Sequence, residues 1–333
     1  MPTTAGDEGV SVQRVRQVRE PEPGEVRRAR ELLDRYLVPT PVVRSPGLGD
    51  EVLLKLETLL PTGSFKVRGA LVAVAAARET DPAAVVVTAS AGNHGLGVAY
   101  AAETLGVKAT IVVPENASPA KQAALERFDV DVDRHGLSYD EAESHALSLA
   151  RAGARYISAY NDPDVIAGQG TVALELLDQV PDLATIVAPV GGGGLLSGIA
   201  LGATYMPGVS VYGVEAAASR AVSASVAAGS VTVVDVGPTL ADGLAGNIEP
   251  GSVTIPIVAR YVDRLVPVEE SVIKDGVRYL AAEHGLVTEP SGAIGVGALS
   301  NGLLDGAARP VVIVITGRNI SAGLFTDLLA GEQ

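Results

Sequence analysis

Beyond Glu51, short runs of β-branched apolar residues alternate with longer alanine-rich segments, and glycine or proline marks the junctions. The short apolar runs suit buried strands, while the alanine-rich segments favour helices. A strand that is followed by a helical crossover leads to a parallel neighbouring strand. The sequence therefore predicts an α/β protein whose twisted, mostly parallel sheets are flanked by helices.

This alternation defines the predicted elements. The predicted strands are 52–57, 84–89, 108–113, 184–190, 210–215 and 310–316. The predicted helices are 64–77, 93–105, 119–127, 138–152, 163–180, 271–284 and 321–329. Segment 226–253 lacks a regular pattern and is predicted to form loops near the functional site or a domain interface.

The chain length predicts two domains. A single hydrophobic core stops growing efficiently at roughly 250–300 residues, and this chain has 333. We expect a large domain of residues 1–50 and 154–333 and a small domain of residues 51–153. A short mobile tail is expected up to Ser11, since the first residues are small and acidic.

Composition excludes several kinds of partner and chemistry. The net charge of −14 opposes binding to nucleic acid, and no apolar run is long enough for a membrane span. The N-terminus lacks the pattern of a secretory signal, so a soluble, cytoplasmic protein is expected. Cysteine is absent, which excludes thiolate nucleophiles and cysteine metal sites. Any covalent chemistry must use another nucleophile.

The motif TGSFKVRGA places Lys66 where a loop passes into a predicted helix. A lysine that is desolvated there loses affinity for protons and becomes a nucleophile toward carbonyl groups. Taken alone the motif is weak, since an arbitrary lysine is far more often a solvated surface group. Arg68 lies two residues on and is expected to point away and serve a structural role.

Four consecutive glycines, Gly191 to Gly194, follow a predicted strand and open a helical segment. Glycine is costly inside strands and helices, so a local use is expected. Bare N–H groups at a helix start bind a phosphate. The spacing matches neither the dinucleotide-binding nor the P-loop pattern, which favours a compact cofactor with one phosphate over a flexible turn.

A third motif, SAGNHGLG, also lies between a predicted strand and a helix, and its donors suit an anionic carboxylate. Asn93 could equally cap the helix, and His94 alone is more often a packed residue than a catalytic base. These alternatives stay open from the residues alone.

Together with the ITGRN end, these motifs occur in the order found in fold-type II enzymes that depend on pyridoxal 5′-phosphate (PLP). The chain resembles the threonine/serine dehydratase and serine racemase family of this group. The segments DPDVIAGQGTVALELL, TLADGLA and EPSGA extend the resemblance from about Thr40 to Asn319. It implies two domains, each an open, mostly parallel twisted sheet with flanking helices, as in the tryptophan synthase β fold.

The resemblance also implies roles for individual residues. Lys66 would carry PLP as a Schiff base, with Phe65 beside the ring and Asn93 at the ring hydroxyl. The glycines Gly191, Gly192, Gly193 and Gly194 would hold the phosphate, and Thr316 would lie beside the ring nitrogen. Ser90, Ala91, Gly92 and His94 would bind the substrate carboxylate.

The implied activity is that of an ammonia-lyase (dehydratase) acting on a β-hydroxy amino acid, with L-threonine or L-serine expected. Alternatives are a less usual or bulkier β-hydroxy amino acid, a β-replacement synthase, an amino-acid racemase, or a catalytically silent PLP or amino-acid binding protein. The family implies a homodimer or homotetramer. The chain ends soon after segment 321–329, so the regulatory domain of longer biosynthetic dehydratases is expected to be missing.

Several positions depart from the family pattern. Ala91 replaces the serine that racemases use as an acid/base, which predicts little racemisation. Leu96 and Leu60 replace glutamines, which leaves room for a larger substrate, and Arg318 replaces a glycine and could contact substrate or pair with Glu289. Many relatives bind a divalent cation through two acidic residues; Glu215 fits the first, but Ala221 replaces the second, so no metal is expected. Glu215 with carbonyl oxygens and waters could still hold one.

Overall fold

The computed structural model describes residues 16–330, so the tail expected up to Ser11 lies outside the described residues. Within this range two sheets contain ten strands. In chain order they are β1 (Val42–Arg44), β2 (Val52–Leu56), β3 (Val85–Ala89), β4 (Lys108–Val113), β5 (Asp131–Arg134), β6 (Arg155–Tyr156), β7 (Thr185–Pro189), β8 (Ser210–Ala216), β9 (Arg264–Val268) and β10 (Val311–Ile315).

Helices connect the strands and cover both sheets. They are α1 (Pro23–Leu33), α2 (Lys66–Thr80), α3 (Asn93–Leu105), α4 (Pro119–Leu125), α5 (Tyr139–Arg151), α6 (Pro163–Gln179), α7 (Gly194–Ala203), α8 (Ala221–Ala228), α9 (Thr254–Tyr261), α10 (Glu270–His284), α11 (Pro290–Ser300) and α12 (Ala322–Ala330). Side chains of Ser118, Ser138 and Asp162 accept hydrogen bonds from the first turns of α4, α5 and α6, and these caps explain where the three helices begin.

The larger sheet has the strand order β1-β2-β10-β7-β8-β9, and the smaller has β5-β4-β3-β6. In the larger sheet β1 pairs antiparallel with β2, and the other pairs are parallel, as are those of the smaller sheet. Strands β7 and β10 are buried along their whole length, as expected for central strands covered on both faces. The predicted α/β class with mostly parallel sheets is confirmed.

The sheets differ from the predicted domain limits at both edges. Strand β2 lies inside the predicted small domain, 51–153, yet it pairs with β10 of the larger sheet. Strand β6 lies beyond residue 153, yet it pairs with β3 of the smaller sheet. Short strands take their membership from distant partners, which local sequence does not reveal. The division into two domains stays a prediction, and its boundaries must follow these pairings.

Helix α2 packs against α3 and α6 and so lies between the helical layers of the two sheets. Its crossing with α6 is close, because a Cβ added at Gly168 would lie 2.6 Å from the Cα of Gly69. Glycine at both positions therefore lets the two backbones approach each other. The motifs that follow β3, β7 and β10 all lie at the carboxyl ends of parallel strands, where open α/β sheets bind ligands.

Segment 226–253, predicted to be irregular, contains the end of α8 and a short 3-10 helix, Asp242–Leu244, and is otherwise loop. The predicted irregular structure of this segment is confirmed. Across residues 16–330, no helix has both the length and the apolar character that crossing a bilayer requires.

Candidate active site

Lys66 is the first residue of α2, and its side chain points to the segment that follows β6. Its Nζ atom donates a hydrogen bond to the carbonyl oxygen of Ala159 at 2.8 Å and lies 5.2 Å from the centroid of the Phe65 ring. The backbone N–H of Phe65 donates to the carbonyl of Thr316 at 3.0 Å. Burial lowers the pKa of Lys66 to about 8, although the nearby Glu289 carboxylate opposes the shift. The neutral form of this amine is therefore more accessible near neutral pH than that of an ordinary lysine.

The four glycines form the turn between β7 and α7. Gly193 adopts a left-handed conformation with φ of +85°, and Gly194 begins the helix. A Cβ on Gly192 would overlap the ring of Tyr160, and the carbonyl of Gly192 accepts a hydrogen bond from Thr254 Oγ1 at 2.9 Å. The loop thus has bare backbone at a helix start, the arrangement that binds a phosphate.

Residues 159 and 160 connect the lysine to the glycine loop. The carbonyl of Ala159 accepts the hydrogen bond from Lys66, and the next residue, Tyr160, packs against Gly192 and Gly194. The Lys66 amine, which can attack a carbonyl, and the glycine loop, which suits a phosphate, therefore both contact residues 159–160. Both lie where the predicted motifs place them.

The SAGNH loop follows β3. The hydroxyl of Ser90 accepts a hydrogen bond from the N–H of Gly92 at 3.2 Å, and Ala91 and Gly92 are partly exposed. The side chain of His94 is buried instead, and its Nε2 donates to the carbonyl of Ile157 at 3.1 Å. Burial, followed by the charge of Lys66, lowers the pKa of His94 to about 3. His94 is therefore a neutral residue that anchors the loop, in agreement with the packed alternative.

Asn93 is held by a chain of hydrogen bonds. Asn319 Nδ2 donates to the carbonyl of Thr62 at 2.9 Å and to Asn93 Oδ1 at 2.6 Å. Asn93 Nδ2 then donates to Glu289 Oε1 at 2.8 Å. This chain fixes the orientation of the Asn93 amide and joins the start of α3 to the EPSGA segment.

Thr316 follows β10 and is 2% exposed, so it is a buried neutral residue at the carboxyl end of a central strand. Arg318, which could have paired with Glu289, forms no ion pair with that residue in the described structure. Its side chain instead lies over Gly63, where an added Cβ would be 3.3 Å from Arg318 Nε. Arg318 is exposed.

Arg68 points away from the site, as expected, and enters a buried network. Its guanidinium donates to the carboxylates of Glu57 at 2.6 Å and Glu175 at 2.6 Å. Glu175 also pairs with Lys55, and Thr40 Oγ1 donates to Glu57 at 2.7 Å. All these side chains are at most 3% exposed. The network ties the helix that carries Lys66 to β2 and α6.

Glu215, the possible cation ligand, binds the backbone at the start of α8. Its carboxylate accepts hydrogen bonds from the N–H groups of Val222 at 3.1 Å and Ser223 at 3.3 Å, at the start of α8. Over residues 16–330, no cluster of three His, Cys, Asp or Glu side chains has the geometry of a metal site.

Several residues of this site were not singled out from the sequence. Asn319 lies in the ITGRN motif without a predicted role, and Glu289 of EPSGA is predicted only as a possible partner of Arg318. Their contacts with Asn93 join positions about two hundred residues apart, which local sequence does not reveal. Tyr160 and Asn161 directly precede the DPDVIAGQG motif. Asn161 is fully buried, and its Nδ2 lacks a hydrogen-bond partner in the described part of the chain.

The residues present fit PLP. Four groups lie at the carboxyl ends of the strands. They are the nucleophilic amine of Lys66, the glycine loop at a helix start that a Cβ at Gly192 would obstruct, the fixed amide of Asn93 and the buried hydroxyl residue Thr316. The fold and this site define a class of two-sheet α/β protein in which a lysine amine could hold a phosphorylated aldehyde cofactor.

Comparisons with known proteins give the family. Residues 33–317 match the model described as "Pyridoxal-phosphate dependent enzyme". The L-threonine ammonia-lyase of Thermotoga maritima is 41% identical over 289 residues, covering 86% of this chain and 72% of that protein. The L-threo-3-hydroxyaspartate ammonia-lyase of a Pseudomonas species is 36% identical, covering 92% and 98%. The structure of maize serine racemase superposes with a TM-score of 0.86 at 30% identity, covering 94% and 98%. This chain belongs to the family of PLP-dependent enzymes.

Proposed function

We propose that this protein is a PLP-dependent ammonia-lyase that converts a small β-hydroxy amino acid, with L-threonine and L-serine as the expected substrates, to a 2-oxo acid and ammonia. The proposal rests mainly on residues 159–160. Ala159 contacts the Lys66 amine, and Tyr160 contacts the glycine loop. The similarity to threonine ammonia-lyases over most of the chain supports the same activity.

The proposed cofactor contacts follow from the chemistry of each group. Lys66 would carry PLP, Phe65 would lie beside its ring, and the N–H groups of Gly191 to Gly194 would hold its phosphate. Asn93, whose amide is fixed by Asn319 and Glu289, would donate to the ring hydroxyl. Thr316 would lie beside the ring nitrogen. The loop of Ser90, Ala91, Gly92 and His94 would bind the substrate carboxylate through backbone N–H groups and the Ser90 hydroxyl.

When bound, PLP supplies the electron sink for the pair left by loss of the Cα proton. Lys66 Nζ, displaced by the substrate amine, takes that proton, and its lowered pKa suits this work near neutral pH. The β-hydroxyl would then depart as water, with the proton that Lys66 Nζ accepted. Lys66 Nζ would displace the product amine from the cofactor, and the released enamine would hydrolyse to ammonia and the 2-oxo acid.

Two residues bias the outcome toward elimination. Thr316 is neutral, so it stabilises a positive ring nitrogen less than a carboxylate would, and prompt loss of the β-hydroxyl is favoured. Ala91 has no proton to exchange on the opposite face of the substrate. Racemisation is therefore expected to be a minor activity, although a serine racemase is among the similar structures.

Two leucines bear on the size of the substrate. Leu60 is buried in the core that includes Val67 and Leu71, and Leu96 packs against that core while partly exposed. Of these two residues, Leu96 is therefore the one that could change the room available to a substrate. The similar L-threo-3-hydroxyaspartate ammonia-lyase adds an acidic β-hydroxy amino acid to the candidates.

The test is an absorbance spectrum of the purified protein, followed by L-threonine, L-serine and 3-hydroxyaspartate while 2-oxo acid and ammonia are measured. Lys66→Ala is expected to remove the cofactor absorption and the turnover together. Lys108→Ala, which changes an exposed lysine at the start of β4, is the control and should keep both. Added thiol tests for a β-replacement product, and chiral analysis tests for D-amino acid.

Oxo-acid release that persists in Lys66→Ala would refute the proposed chemistry. A replacement product or D-amino acid formed as fast as the oxo acid would refute the assignment as an ammonia-lyase. We also propose a cytoplasmic homodimer or homotetramer, on the strength of the family resemblance, to be checked by light scattering of the purified protein and by cell fractionation.

A further inference from the structure

Glu289 has a position prepared for its carboxylate. Its backbone N–H donates to the carbonyl of Gly317 at 3.1 Å, and its side chain occupies the space that a Cβ at Gly317 would fill. Asn93 Nδ2 donates to its Oε1 atom at 2.8 Å. Gly317 is itself fixed, because it forms an isolated bridge with Ser64, two residues before Lys66. The carboxylate is therefore held on the same framework as the lysine.

The charged groups around Glu289 come from three other elements. Lys66 of α2 attracts its negative charge, as does Lys121 of α4, while Asp242 of the 3-10 helix repels it. Lys121 Nζ and Asp242 Oδ2 are 3.6 Å apart and largely exposed, so they screen each other's effect on the interior. Lys66 is the buried cation of this group, and Glu289 is the charged group that acts on it.

We propose that Glu289 is a positioning residue that stabilises the protonated form of Lys66 whenever the lysine amine is released from the cofactor. The inference rests on the proposed function. In that reaction Nζ must accept the Cα proton inside a desolvated site, and the resulting ammonium needs a counter-charge. The Glu289 carboxylate supplies it without touching the reacting atoms, and Asn93 and Gly317 keep it in place.

The protonation behaviour of both groups agrees with this geometry. Burial raises the pKa of Glu289 to about 7, against the hydrogen bond from Asn93 that lowers it. The pKa of Lys66 is about 8. The pKa values of both groups are therefore shifted toward neutrality, and a charged Glu289 carboxylate favours the protonated form of Lys66. Neutralising Glu289 removes an attraction that favours the ammonium, and the pKa of Lys66 must fall.

The experiment removes the cofactor from the holoenzyme and measures the rate at which added PLP reattaches to Lys66, by absorbance, across pH. Attachment requires the neutral amine, so the acid limb of this profile reports Lys66 directly. Glu289→Gln keeps an acceptor for Asn93 and removes the charge. Its midpoint is expected to fall by about one pH unit, the size of effect that a nearby opposite charge produces.

Three further variants separate charge from structure. Gly317→Ala would displace the Glu289 carboxylate and is expected to shift the midpoint in the same direction as Glu289→Gln. Glu289→Asp keeps the negative charge, and Asp242→Asn removes an exposed charge that solvent screens. Each variant is therefore expected to move the midpoint by less than about 0.3 pH unit.

A purely structural role would slow attachment at every pH and leave the midpoint in place. An unchanged midpoint in Glu289→Gln overturns the inference while leaving the proposed function intact. Should that variant not fold, Gly317→Ala compared with Glu289→Asp decides by the same criterion. Failure of the wild-type protein to develop a cofactor absorption overturns the proposed function and the inference together.

Discussion

Replacing Arg68 with methionine removes the centre of the buried network under the active site. The guanidinium donates to Glu57 at 2.6 and 2.8 Å, to Glu175 at 2.6 and 3.0 Å, and to Thr171 Oγ1 at 3.2 Å. Methionine fills a similar length with an apolar chain, so the change tests charge and hydrogen bonding more than volume.

The expected cost follows from what stays behind. Glu175 keeps Lys55 as a partner, and Glu57 keeps only the hydroxyl of Thr40 among the contacts described above. Removing one partner of a buried ion pair typically costs about 3–5 kcal/mol, because an uncompensated charge remains in the interior. We therefore expect Arg68→Met to lower the free energy of unfolding by about 3–5 kcal/mol.

The assay is denaturant unfolding of the cofactor-bound protein followed by far-ultraviolet circular dichroism, with the slope compared between variants. Arg78→Met is the matched control on the same helix. Within the described residues its guanidinium makes a single hydrogen bond, to the carbonyl of Leu105 at 2.8 Å, and Arg78 is exposed. The control is expected to lose at most about 1 kcal/mol. A loss in Arg68→Met no larger than in the control, at equal slopes, would refute the argument that the network anchors α2.

Two further predictions concern the glycine cradle and the substrate loop. Gly192→Ala would force a Cβ into the Tyr160 ring, so PLP affinity is expected to fall about tenfold or more. Cofactor titration measures this affinity. The control is Gly323→Ala of α12, where an added Cβ would meet open space. His94 has a folded-state pKa of about 3, so the unfolded chain binds more protons between that value and its ordinary pKa, and stability falls as pH decreases through this range. Between pH 7 and pH 5 the free energy of unfolding is expected to fall by about 2 kcal/mol through His94. Unfolding of His94→Gln at both pH values should show a smaller fall. An equal fall in the variant would contradict the assignment of His94 as a buried, neutral residue.

The sequence predicts the central elements of the fold well. Helix α3 and strand β4 have the predicted limits, 93–105 and 108–113. Both are apolar segments with clear local boundaries, such as Gly106 in the left-handed conformation after α3. The motifs lie at the carboxyl ends of strands, because each follows a strand of a parallel sheet.

The missed elements depend on distant partners. Strands β5, β6 and β9 are short edge strands, and two of them are rich in charged residues, so their pattern resembles loops. Lys55, Glu57 and Glu175 look like surface residues in the sequence, yet each is buried because Arg68 or another network member neutralises it. Glu289 was missed for the same reason, since its partner Asn93 is remote in the chain.

The attachment of the lysine segment to β10 has a consequence for how such an enzyme diversifies. Phe65 N–H bonds the carbonyl of Thr316, and Ser64 bridges Gly317, so the reacting amine and the residue expected at the ring nitrogen belong to one framework. The SAGNH loop, in contrast, grows from β3 of the other sheet. Mutations in the proposed substrate loop other than at Asn93 can therefore accumulate on one sheet, while the framework that holds Lys66 and Thr316 is inherited unchanged on the other. In such an architecture, substrate preference can change faster during evolution than the type of reaction.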